Sequence, residues 1–93
     1  MEKDFVAYPV VITPEKDSTF YNFLVFLPEF GAYAQANDLL GAIRVAYEFI
    51  GDYSLNQTLP KPHLELPPAK EGQLVTFVNV NLTDYNKHEE SSD

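Results

Sequence analysis

The apolar pattern of this chain changes its period once, at Asn37, and that change fixes what the chain can fold into. Ahead of Asn37 the apolar runs are extended in character; behind it Leu39, Ile43, Ala46 and Ile50 recur at helical spacing. One helix is therefore expected among strands, over about Asp38 to Tyr53, with Asn37 as its N-cap and Asp38 complementing the positive end of its dipole. Phe5 to Thr13 (FVAYPVVIT) reads as a first strand, rich in Val, Ile and aromatics. Pro9 cannot donate to a ladder, which places this strand at a sheet edge or puts a bulge there. Pro14 to Thr19 is a polar turn, and Phe20 to Leu27 (FYNFLVFL) a second strand, so the two form a hairpin. The second strand barely alternates, which suggests cover on both faces, by a helix on one and another element on the other. Ala32 to Ala36 is long enough for a short third strand, and Leu74 to Leu82 alternates as a half-buried fourth. Between helix and fourth strand, Leu59 to Ala69 holds four of the seven prolines and must run extended across the surface. The fold class is α+β in the order ββ(β)αβ.

Ninety-three residues, 45% of them hydrophobic, make one small domain. A domain of this size buries only about 60–65% of its unfolded surface, so a partner that covers apolar surface would add to its stability. No cysteine is present to supply a disulfide or a thiolate metal site. Six basic against fourteen acidic residues give a formal charge of −8, which argues against contact with nucleic acid and favours a basic macromolecular partner. No apolar run approaches the roughly 20 residues of a membrane span. The start, Met1-Glu2-Lys3-Asp4, lacks the basic and apolar regions of a signal peptide, so the expected location is the cytoplasm.

Catalytic chemistry has little support. His63 and His88 fall in the proline-rich crossing and the acidic tail without ligand spacing, and the four glycines make no phosphate loop, so no metal and no cofactor is expected. The strands carry no carboxylates in their middles, which removes the ligands of a two-metal nuclease site. Glu29, Asp38, Glu48 and Asp52 read by default as solvated charge and helix capping. On the helix, Leu39, Leu40, Ala42, Ile43, Ala46, Tyr47, Phe49, Ile50 and Tyr53 fill about half the circumference, more than one sheet face needs. The surplus at Leu40 and Tyr47 is either a contact surface or a flank of the core. A self-association surface is expected on the exposed side of Tyr21, Phe23 and Val25, with a dimer as the commonest closed assembly.

Three stretches, in this order, resemble the HicB family of antitoxins of type II toxin–antitoxin systems. Phe5 to Val11 (FVAYPVV) is similar to its aromatic-Pro strand. Leu27-Pro28-Glu29-Phe30-Gly31 is similar to its short acidic loop, and Tyr33 to Leu39 (YAQANDL) to its lead into the helix, after which Ala42, Ile43, Ala46 and Ile50 match its helix core positions. Leu59-Pro60-Lys61-Pro62 is similar to its Leu-Pro-x-Pro crossing. The chain departs from the pattern at Ala36, where the family has glycine, and at Leu40 and Gly41, where it is usually acidic.

The resemblance implies a partial ribonuclease-H-like domain over 1–82 that is not an enzyme and binds and inhibits a small basic HicA-type ribonuclease toxin. Taken with the apolar surplus and the acidic charge, it gives expected partner contacts at Glu29, Phe30, Tyr33, Asp38, Leu40, Tyr47 and Glu48, beside the homo-oligomer, dimer or higher, expected from the apolar excess. Residues 83–93 read as an acidic tail or the start of a linker. The family's DNA-binding module is not encoded after Leu82, so operator binding is not carried over. A second reading, from another class, is an oligomerisation or small-ligand sensor domain of a bacterial regulator.

Overall fold

The computed structural model describes residues 5–17, 19–63 and 65–83. Its elements run β1 (Phe5–Pro14), β2 (Phe23–Leu27), β3 (Ala32–Ala36), α1 (Leu39–Asn56) and β4 (Leu74–Asn81). The strands form one antiparallel sheet in the order β3-β2-β1-β4, and α1 packs on one face of it. This is the expected ββ(β)αβ architecture in two layers. The tail read over 83–93 and His88 lie outside the described residues, apart from Thr83.

Alternation along the strands sends one set of side chains to the helix. Tyr8, Val10 and Ile12 of β1, Val25 and Leu27 of β2, and Val78 and Val80 of β4 meet Ala42, Ala46 and Ile50 of α1 in a single buried cluster. The helix presents residues four apart, which stack in one row along its axis. Alanine at two of the three positions lets its backbone approach the sheet closely, and Tyr8, Ile12, Leu27 and Ile50 supply the bulk of the buried cluster.

Four local expectations change. Pro9 is in a central strand and fully buried, not at an edge. The β1–β2 ladder spans only Val11–Pro14, while β4 pairs with β1 from Phe5 to Ile12, so beside Pro9 the neighbouring strand has already ended. The missing N–H is tolerated because the sheet is locally one strand narrower there. β2 begins at Phe23, not Phe20: Asn22 donates its backbone N–H to Ala36 O (3.1 Å) and its side-chain amide to Asn37 O (2.8 Å), which closes the hairpin loop against the end of β3. The N-cap is Asp38, not Asn37; its carboxylate accepts the Gly41 N–H at 2.6 Å, and a Cβ on residue 41 would lie 2.9 Å from that oxygen. The helix continues past Tyr53 to Asn56.

The β2–β3 hairpin closes through Pro28–Gly31. Phe30 N–H donates to Leu27 O and Gly31 N–H to Pro28 O, and Gly31 supplies the left-handed residue (φ 61°) that returns the chain to the sheet. On the sheet face away from α1, cross-strand register lines up Tyr33, Phe26, Val11 and Val75 in one row. No helix of the described residues is long and apolar enough to cross a membrane.

Tyr8 fastens the proline-rich crossing to the sheet. Its hydroxyl donates to Pro60 O. Burial, then the Glu29 carboxylate, then Tyr53 hold its pKa above the ordinary 10.0. Folding therefore favours the neutral phenol, and its contribution is present below the ordinary pKa and lost as pH rises through the higher folded value. Denaturant titrations should show stability falling above about pH 10. Tyr8→Phe should lose about 1 kcal/mol at neutral pH with its hydrogen bond, and then decline less on the alkaline side. Identical alkaline declines in the two proteins would place the titration at another group.

Candidate functional site

The residues singled out from the sequence fall in three places. The Pro28–Gly31 turn carries Glu29 and Phe30. Phe30 points into the molecule: its ring meets Tyr8 edge-on at 4.8 Å, Phe49 at 5.4 Å and Tyr53 at 5.0 Å between centroids. Phe49 and Tyr53 sit one turn apart on α1, so helical spacing builds the socket that the turn's aromatic fills. Glu29 is not a solvated charge. Its side chain is only 13% exposed, and Oε2 lies 2.6 Å from Nδ1 of His63, bridging the turn to the crossing 34 residues later.

Tyr33, in contrast, stands on the sheet face away from the helix. It is 64% exposed and stacks on Phe26, its cross-strand partner, at 4.6 Å. The third place is the helix. Asp38 caps it, Leu40 is 72% exposed in its first turn, Tyr47 is half-buried against the core, and Glu48 is exposed.

The face expected on β2 is inverted. Val25 is fully buried under α1 and Phe23 packs on the same core cluster, whereas Leu24 and Phe26 point to the opposite face. The pleat has period two, so an error of one position exchanges inside for outside. That opposite face carries no helix among the described residues, and Leu24 and Phe26 are only partly buried.

Two residues that the sequence placed elsewhere, Leu39 in the helical core row and Phe20 at the start of the second strand, are exposed apolar groups near the start of α1. Leu39 precedes Leu40 in the first helical turn, and Phe20 lies in the hairpin loop that Asn22 ties to Ala36 and Asn37. Both bonds bring the loop that carries Phe20 to the start of α1, so that loop and the first helical turn with Leu39 and Leu40 meet at one corner beyond the end of β3, while Tyr33 stands on the sheet face away from α1. The available signal was the width of the apolar arc, about half the helix circumference, which one sheet face does not cover. The exposed apolar side chains at this corner, beside the Asp38 cap, suit adhesion to another protein. Among the described residues no charged side chain is buried, and no group of three His, Asp or Glu is placed to hold a metal.

No family model and no curated protein matches this chain. Among solved structures, a chain of the toxin–antitoxin complex from Streptococcus pneumoniae matches with a TM-score of 0.66 at 18% identity, over 87% of this chain and 72% of that one. At that identity the likeness establishes a shared fold.

The two loop aromatics should respond oppositely to truncation. Phe30→Ala empties the aromatic socket and should cost about 2–4 kcal/mol of stability. Tyr33→Ala removes an exposed stacked ring and should cost about 1 kcal/mol or less. Thermal or chemical unfolding of the two variants checks this; equal losses would mean that Tyr33 is also part of the core.

Proposed function

We propose that this chain is a HicB-type antitoxin domain that binds and inhibits a small basic HicA-type ribonuclease toxin in the cytoplasm, with no catalysis of its own. The observation that carries the reading is the fold shared, over 87% of the chain, with a member of a toxin–antitoxin complex. The −8 charge supports it, because an acidic surface steers a basic partner into encounter, and so does the apolar corner, because buried apolar anchors supply lasting affinity. Of the expected partner contacts, Tyr33, Asp38, Leu40 and Glu48 are exposed; Leu40, Asp38 and Glu48 on the helix, with Leu39 and Phe20 added and Tyr47 at the margin, make one part of the proposed interface, and Tyr33 on the other face of β3 makes a second. Asp38 and Glu29 contribute charge while they cap the helix and hold the crossing. Phe30 acts from inside, by supporting the turn.

The test is binding to the product of a neighbouring short basic gene. Glu48→Lys should slow association, and less so as salt rises, because exposed charges are screened over about 8–10 Å. Tyr33→Ala and Leu40→Ala should leave the fold intact and speed dissociation, a true anchor costing about 2 kcal/mol or more. Full toxin neutralisation by a folded Tyr33→Ala/Leu40→Ala double variant would place the inhibitory surface elsewhere. Absence of any basic partner would favour the sensor-domain reading.

We further propose that the domain self-associates through the sheet face that carries Leu24 and Phe26, on which α1 does not pack. Light scattering at high micromolar concentration should report a dimer, abolished by Phe26→Glu. A monomer at that concentration would reserve this face for another molecule.

A further inference from the structure

Where β2 ends beside Pro9, the sheet leaves a notch of about 310 Å³. Its walls are Pro9, Pro28, Pro67 and Pro68, with Leu66, and the carboxyl-bearing residues Glu29 and Glu65 line it as well. The notch is assembled from three separate parts of the chain: the central strand, the β2–β3 turn and the crossing. His63, paired with Glu29, holds the turn and the crossing together. We propose that the notch receives an arginine side chain from a basic partner protein, and this rests on the inhibitor reading above.

The chemistry of the walls selects the occupant. Proline rings offer apolar surface with no N–H, so they neither donate to an anion nor compete for the carboxylates. A simple apolar side chain would offer the Glu65 carboxylate, and the remaining acceptor sites of Glu29, no donor. A small cation would leave the proline walls wet. An arginine matches both parts, because its three methylenes pack along apolar surface while its charged head stays at the rim. The guanidinium carries five donors in a planar fork, enough to serve two carboxylates at once. Glu29 already shares one oxygen with His63. A carboxylate offers about four acceptor sites on its two oxygens, so a guanidinium can add to Glu29 while Oε2 keeps its contact with His63 and the turn stays fastened to the crossing. The chain's charge of −8 adds long-range attraction for the same ligand.

The test uses the 93-residue chain, labelled with nitrogen-15, and two probes: Nα-acetyl-arginine amide and the uncharged Nα-acetyl-norleucine amide. The arginine probe should shift the backbone amide signals of Glu29, His63, Glu65 and Leu66, and the norleucine probe should not. Glu65→Gln, an exposed change that leaves the fold intact, should weaken the response about threefold or more, as expected for loss of one exposed charge partner. Glu29→Gln combined with Glu65→Gln should abolish it. Equal shifts from both probes, or an undiminished response in the double variant, would overturn the proposal, as would no response to the arginine probe. Failure of the inhibitor reading appears separately, as a basic toxin that does not bind while the arginine probe still does.

Discussion

Tyr8 is the side chain on which the rest of this small structure depends. It occupies the central strand, fully buried, and reaches three parts of the chain that are remote in sequence: Phe30 in the turn, Ile50 and its neighbours in the helix layer, and the carbonyl of Pro60 in the crossing. The crossing has no ladder of its own, since a segment with four prolines in eleven residues cannot make one. It is fastened instead by side chains, Tyr8 on one residue and the Glu29–His63 pair on another. Both fastenings converge on the same turn, because Glu29 and Phe30 are consecutive. The loop that resembles a partner-binding motif is thereby a structural joint first, and its neighbours on the surface are positioned by it.

Periodicity made the architecture legible before any coordinates. The alternation of Val78 and Val80, the β-branched run of β1 and the helical recurrence after Asn37 each reflect burial by a neighbouring layer, which is a property of local sequence. Errors arose where the deciding contact was distant. Phe20 and Tyr21 are as apolar as a strand residue, yet β2 starts only where Asn22 has closed the loop on Ala36. Pro9 argued for an edge, and the edge exists, but only along half of one strand, a length that depends on where β2 stops. The Glu29–His63 pair joins residues 34 apart, a separation that no pattern reveals.

The site was legible to a similar depth. Leu40 was recognised as a surplus apolar group and is exposed, because surplus is countable along a helix, whereas Tyr47, counted with it, packs half-buried on the core; Tyr33 was expected from the resembling loop and is exposed. Phe30 looked identical to Tyr33 from the sequence. Which of the two turns inward depends on the αL residue at Gly31 and on the waiting rings of Phe49 and Tyr53. Phe23 and Val25 were assigned to the wrong side for the same reason that register is hard to read: with only five residues, β2 has too few positions for the pattern to reveal its phase.

β4 closes one side of the sheet with eight residues, Leu74 to Asn81, none of them charged and none of them proline. Natural sheets usually blunt such a border with lysine, proline or a bulge, since its backbone can template a further strand. Here the strand itself has no such guard, and mutual repulsion between copies of charge −8 takes over that duty. That protection is a property of the solvent as much as of the chain. Near the isoelectric point of about 4.5 the repulsion vanishes while the border remains, so mildly acidic buffers are where this protein's colloidal stability is weakest.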